Sequence, residues 1–269
     1  MKPGQIQLSP FQVASLRMIF SGLSLTPFAY KALKQIPKDK LLIVVLSGII
    51  GNFFPAYLFC IAETKIDSAL AGILNSLTPL FTIIVGIFFF QLDSNGKKIL
   101  GVLLGLVGLC FSIVAGKTIN FENFSYSFYV LIATIFYGIN VNMVGRHMHH
   151  ISALNIAAVA FGFCIIPASI ILYSTGYFQL DFHDSGFQQA STAGAALGII
   201  NTTVASILFY QLVKRAGIVF ASMVTYAIPF VSLVMGLYYN EPIHPLRLVG
   251  LVIILIGVYI VNKKEKKLA

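Results

Sequence analysis

The sequence predicts an all-α polytopic membrane protein: nine transmembrane helices of a ten-helix, two-by-five inverted-repeat architecture whose first helix is missing from the chain as given. Three observations predict it. Apolar runs long enough to cross a bilayer recur along the whole chain. Basic residues gather on alternate connections. The second part of the chain restates the first at a nearly constant offset.

The 269 residues are 58% hydrophobic and 10% charged, with a mean hydropathy of +0.88. A soluble domain carries about 25% charged residues. The charges here are clustered, and between the clusters lie apolar runs of about 18 to 25 residues, enough to span about 30 Å of hydrocarbon as helix. The runs predict α1 over Pro10–Leu33, α2 over Leu41–Ala62, α3 over Ser68–Gln91, α4 over Lys98–Ala115 and α5 over Ser125–Arg146. They continue with α6 over Ile151–Ser174, α7 over Ala190–Leu212, α8 over Gly217–Tyr239 and α9 over Pro245–Val261. The connections are short. The longest, around 176–189, is polar and carries no Lys or Arg.

The net charge of +9 is explained by topology. Because helices alternate sides, one side collects Lys31, Lys34, Lys38, Lys40, Lys97, Lys98, Arg146, Lys214, Arg215 and the tail KKEKK at 263–267. The other side holds only Lys2, Lys65, Lys117 and Arg247, and Arg17 lies inside α1. The positive-inside rule makes the basic side, and with it the C-terminus, cytoplasmic. The lipid bilayer is thus an expected partner and nucleic acid is not. Cys60, Cys110 and Cys164 all fall in apolar spans, where an odd number of thiols makes neither a disulfide framework nor a metal site.

The repeat is read at an offset of 150. "GIIGNFFPAYLF" from Gly48 restates itself as "GIINTTVASILF" from Gly198. Ala71 meets Ala221, Pro79 meets Pro229 and Gly86 meets Gly236, after which Gly101 and Gly108 meet Gly250 and Gly257 at an offset of 149. Upstream, "SPFQVA" at Ser9 resembles "SALNIA" at Ser152, an offset of 143. These matches pair α1 with α6, α2 with α7, α3 with α8 and α4 with α9. Paired helices are five spans apart, an odd number, so the halves enter the membrane in opposite orientation, a frequent design in secondary transporters. Residues 1–118 form the first half and 119–269 the second. Helix α5 has no partner, so the complete unit has five helices per half, and the first half is expected to lack its first. No signal-like segment stands in for it at the N-terminus.

At this point the chain resembles the EamA-like branch of the drug/metabolite transporter superfamily. The likeness rests on "SPFQVASLRMIF", "SALAGILNSLTPLFTIIVGIFF", "VFASMVTYAIPFVSLVMGLYYNEP" and "LVGLVIILIGVYIV", in that order and spacing. The resemblance implies ten helices, a central cavity, and export or exchange of small metabolites, often amino acids. It matches Pro79 and Pro229 to the prolines of the fourth and ninth family helices and Glu241 to the acid ending the ninth. The chain departs from the pattern at Gln91, where the first half often has that acid.

Counting from the span ends places the candidate lining. For substrate binding it comprises Asn52, Tyr57, Asn75, Thr78, Tyr137, Asn140, Asn201, Ser206 and Tyr226. These groups sit where hydrogen-bonding atoms need a partner, and they concentrate on α2, α3, α5, α7 and α8. Each serves either the solute or the packing of its helix. Ser and Thr in membrane helices often bond to backbone or a neighbouring helix, whereas an asparagine amide has more donors and acceptors to satisfy. Pro79 and Pro229 remove a backbone donor and bend their helices, as fixed kinks or as hinges. Arg17 is the charge clearly inside a span, facing a cavity or gate or else reaching for the interface. Its repeat partner is the apolar Ala160. Helices α4 and α9 are nearly all apolar with Gly101, Gly105, Gly108, Gly250 and Gly257, which suits close packing.

The absences are equally directive. No Asp or Glu stands at mid-membrane, where an exporter of cationic drugs usually needs one. "RHMHH" at 146–150 ends a helix without a Cys or acidic partner, and no Walker-type loop is present. An enzyme, a metal and a cofactor are therefore not expected. A small neutral or zwitterionic solute such as an amino acid, moved by alternating access, fits this lining. The alternatives are a multidrug or nucleotide-sugar type transporter, and a non-transporting scaffold or regulatory paralogue. A bacterial inner membrane is the expected location, and pairing into a homodimer is left open.

Overall fold

A computed structural model describes residues 8–66, 68–92, 95–114, 123–227, 231 and 245–262. Among these, nine helical spans occur in the expected order, with no strand. They are α1 (Pro10–Gln35), α2 (Lys38–Ala62), α3 in two pieces (Ser68–Asn75 and Thr78–Phe90), α4 (Gly96–Val114) and α5 (Ser127–His147). They continue as α6 (Ala153–Ser174), α7 (Ser185–Ala216), α8 (described over Ile218–Ala227) and α9 (Pro245–Asn262). Four of them, α2, α5, α6 and α7, are each long and apolar enough to cross a membrane unbroken. The polar connection after α6 is shorter than its sequence suggests, because α7 begins at Ser185, capped by Asp184. The remainder closes over clustered rings, with Tyr177 and Phe187 tilted at 5.1 Å and Phe182 edge-on to Phe187 at 5.0 Å.

The chain divides into two compact units, each drawing helices from both sequence halves. The first joins residues 1–64 and 143–215, hence α1, α2, α6 and α7. The second joins 65–142 and 216–269, hence α3, α4, α5 to Asn142, α8 and α9.

In the first unit α1 and α6 run antiparallel. Gln12 donates to the Thr175 carbonyl at 3.1 Å near one end, and Asn155 donates to the Gln35 side chain at 2.8 Å near the other. Both helices start alike. Ser9 and Ser152 are N-caps with extended backbones, and each accepts from the amide three residues on, satisfying a donor the helix start leaves open. Helix α7 lies against α1, and α2 against α6. The tightest points of these two contacts are equivalent. A Cβ on Gly198 would come within 2.7 Å of the Arg17 carbonyl oxygen, and one on Gly48 within 2.6 Å of the Ala160 carbonyl oxygen. Gly48 and Gly198 are repeat partners, and so are Arg17 and Ala160.

The second unit obeys the same exchange. A Cβ on Gly101 would meet the Gly257 carbonyl at 2.7 Å, and one on Gly108 the Gly250 carbonyl at 2.6 Å. Swapping repeat partners turns one contact into the other. Helices α4 and α9 are thus antiparallel and in backbone contact through glycine, the close packing expected of them. Around this seam Ile83, Val102, Leu109, Val219, Met223, Tyr226 and Ile254 form the unit's core.

Candidate functional site

Four spans with candidate lining residues depart from α-helical geometry at related positions. Helix α2 has a π-helical turn at Ile49–Phe53, and α7 one at Leu197–Val204. The two fall at equivalent places, inside the repeated "GII" stretches. Their local causes differ. In α2 the turn precedes Pro55, which has no N–H to give the carbonyl four residues back. In α7 two threonines fill the widened turn. Thr202 Oγ1 donates to the Leu197 carbonyl at 3.1 Å and Thr203 Oγ1 to the Gly198 carbonyl at 3.1 Å. Helix α3 breaks at 76–77, just before Pro79, and α8 tightens to a 3₁₀ turn over Met223–Ala227. Widened turns of this kind often mark functional sites, and broken helices mark solute sites in inverted-repeat transporters.

In the first unit these departures bring polar side chains together from both sequence halves. Asn52 Nδ2 donates to the Tyr210 hydroxyl at 2.9 Å, and Ser206 reaches Asn52 Oδ1 at 3.4 Å. The Ser15 and Tyr57 hydroxyls are 2.7 Å apart, with Tyr57 buried against the Phe53 ring at 4.8 Å. Ser24 and Thr203 share a hydrogen bond of 3.1 Å, and Ser21 donates to the Gly198 carbonyl at 2.7 Å. Arg17 Nη2 approaches Thr202 Oγ1 at 3.5 Å, while its Nε is buried without a partner. The guanidinium also acts electrostatically on the Cys60 thiol and the Glu63 carboxyl. Glu63 follows the last turn of α2. Partial desolvation holds its carboxyl above the usual carboxylate range, and Arg17 pulls it the other way. Of the expected residues, Asn52, Ser206, Tyr57 and Arg17 take part in this network, whereas Asn201 is exposed, beside Ile200.

The second unit treats its polar groups differently. Thr78 donates to the Asn75 carbonyl at 2.6 Å, so both residues serve the break in α3. Pro79 is buried in the first turn after that break. Thr82 donates to the Thr78 carbonyl at 2.8 Å. On α5, Asn140 is buried and Tyr137 partly so. Their neighbour Asn142 ties α5 to α3 by donating to the Thr82 carbonyl at 2.9 Å. Tyr226 is 1% exposed and donates to the Val102 carbonyl at 2.9 Å, its ring lying over Gly105. That gives Tyr226 the role of an anchor between α8 and α4. Pro229 and Glu241 lie outside the described residues.

Sequence reasoning did not single out Ser15, Ser21 or Ser24. The available signal was their placement on α1 beside the one intramembrane charge. It was weak, because small hydroxyls are ordinary in such helices.

Paired antiparallel helices, glycine contacts related by exchange and broken spans define an all-α integral membrane protein of inverted-repeat build. The comparisons name its family. The chain matches the EamA-like transporter family over residues 1–114 and 124–263. It belongs to that family. An uncharacterized transporter of Archaeoglobus fulgidus is 26% identical over 263 residues, covering 96% of this chain and 90% of that protein. A chloroplastic WAT1-related protein of Arabidopsis thaliana is 23% identical over 279 residues, and the match spans 95% of this chain but 63% of the plant protein. A solved crystal structure at 17% identity aligns with a TM-score of 0.73, covering 94% of this chain and 89% of that one, which supports the fold.

Proposed function

We propose that this protein exports a small neutral or zwitterionic metabolite, amino acids being the first class to test, by alternating access of an inverted-repeat scaffold. The observation that carries the reading is the exchange of glycine contacts. Gly48 on Ala160 and Gly198 on Arg17, like Gly101 on Gly257 and Gly108 on Gly250, are the same contact made twice by antiparallel segments. A scaffold with equivalent contacts in opposed orientations has two closely matched ways to open, one to each side. The polar side chains of α2 and α7 supply uncharged donors and acceptors at the depth of the π turns. The proposed orientation puts the C-terminus in the cytoplasm of a bacterial inner membrane, following the basic loops.

The test is flux of a panel of radiolabelled amino acids in proteoliposomes. Saturable uptake that falls with Asn52→Ala, and survives Tyr226→Phe, supports the reading. A folded protein that moves no panel member removes amino acids as the substrate class and shifts weight to a non-transporting scaffold.

A further inference from the structure

Arg17 is a charge whose donors are mostly unused. A guanidinium carries five N–H donors and no acceptor. Here Nε is buried with no partner, Nη2 makes one long contact of 3.5 Å to Thr202, the Cys60 thiol is only a weak acceptor beside it, and the Glu63 carboxyl acts on it from farther off, since among the described residues no carboxylate lies within 4.0 Å. A cation inside a membrane span is costly unless paired, and such residues mark solute paths. The fold does not require it. The backbone contact Arg17 makes under Gly198 is made equally well under Gly48 by Ala160, which has no charge. The side chain is therefore an addition to one of two equivalent positions. Thr202 does not answer the guanidinium's need for an anion: it accepts from Nη2 with a neutral hydroxyl oxygen at 3.5 Å while donating its own hydrogen to the Leu197 carbonyl. What the site presents is a planar fork of donors, the geometry that accepts two oxygens of a carboxylate side by side.

We propose that Arg17 is the docking point for a carboxylate on the transported solute, held bidentate by the guanidinium beside Thr202. This rests on the transporter reading and narrows its substrate class to carboxylate-bearing solutes, zwitterions included. Since Ala160 occupies the equivalent position, the scaffold binds the carboxylate at one of its two related places.

Cys60 provides a probe, because the guanidinium acts on it directly. The full chain, with Cys110 and Cys164 changed to Ala, is reconstituted in phosphatidylcholine vesicles. Cys60 is then labelled with sulfonatoethyl or trimethylammonioethyl methanethiosulfonate. The ratio of the two rates cancels changes in the ionisation of the thiol itself. The anionic reagent is expected to lead by about tenfold with Arg17, to keep its lead in Arg17→Lys, and to lose it in Arg17→Gln. Acetate is expected to slow the anionic reagent and acetamide is not, with weaker protection by acetate in Arg17→Lys, which lacks the fork. An unchanged ratio in Arg17→Gln overturns the proposal, and so does failure of both reagents to reach Cys60. Should Arg17→Gln not fold, acetate protection of the unaltered Arg17 chain decides alone, its absence overturning the proposal. Labelling requires no transport. A chain that docks acetate but moves no solute therefore fails the transporter reading only, and one that moves amino acids with an unchanged ratio fails this inference only.

Discussion

The two compact units are built on the same plan and differ in the cross-helix bonds their polar groups make. Each packs antiparallel segments through glycines that touch backbone. In the first unit several polar groups bond side chain to side chain across helices, as in Asn52 with Tyr210, Ser15 with Tyr57, Ser24 with Thr203 and Arg17 with Thr202, beside others that meet backbone carbonyls, such as Ser21 on Gly198. In the second, the described cross-helix bonds of Asn142 to Thr82 and Tyr226 to Val102 go to backbone carbonyls, as does the bond of Thr78 to Asn75. A bond to a carbonyl fixes a helix. A bond between two rotatable side chains can be exchanged for one to a solute without unmaking any backbone. On the proposed function, this difference favours solute handling by the first unit and support by the second.

The largest effect should come from the feature the units share. A Cβ on Gly257 would sit 2.5 Å from the Gly101 carbonyl oxygen, where only backbone movement makes room. Gly257→Val is expected to cost about 3 kcal/mol or more and to abolish the monodisperse peak in detergent chromatography. Gly162, in α6 with nothing within 4 Å of its Cβ position, serves as the contrast. Gly162→Ala should leave thermal unfolding unchanged or raise it slightly, as alanine favours helix over glycine. Equal loss at both sites would show that the glycine seams do not set the packing.

The next effect separates the units. Asn52→Ala should raise KM for the transported solute by about tenfold with little change in unfolding temperature. Tyr226→Phe should do the reverse, losing about 1 kcal/mol of stability with the bond to the Val102 carbonyl and leaving KM alone. A KM change in Tyr226→Phe that matches that of Asn52→Ala would remove the division of labour.

This division was only partly readable from the residues. Span positions were, because bilayer thickness imposes a length and lipid imposes apolarity. Glycines Gly101, Gly108, Gly250 and Gly257 were, because nothing else lets two backbones meet. The π turns were not. A hydropathy pattern records which face of a helix is apolar and does not record whether a carbonyl is met four or five residues later. Tyr226 was ambiguous for a related reason. A tyrosine at mid-span reads the same whether its hydroxyl meets solute or the carbonyl of Val102, and Gly105, which makes room for its ring, is far away in sequence. The repeat likewise told which helices are equivalent. It did not tell that α7 packs on α1 and α2 on α6, each helix meeting one from the other half.

The smallest effect concerns Glu63, and it sharpens the contrast within the first unit between a charge that is answered and one that is not. Its carboxyl is held above the usual range by desolvation and drawn down by Arg17. Above that raised value it is ionised and partly offsets the guanidinium. As pH falls through it, the carboxyl takes up a proton and the positive field of Arg17 is left unopposed. Preference for the anionic reagent at Cys60 should therefore grow on acidification, by about two- to threefold for a charge acting through partly screened surroundings. Glu63→Gln should fix the ratio at its acidic value at every pH. The same shift has a stability sign. An acid whose value is raised on folding favours the folded chain less as pH climbs from the unfolded value through the folded one, and Glu63→Gln should flatten that decline in a pH series of unfolding temperatures. A ratio that does not change with pH would mean that Glu63 does not act on Arg17.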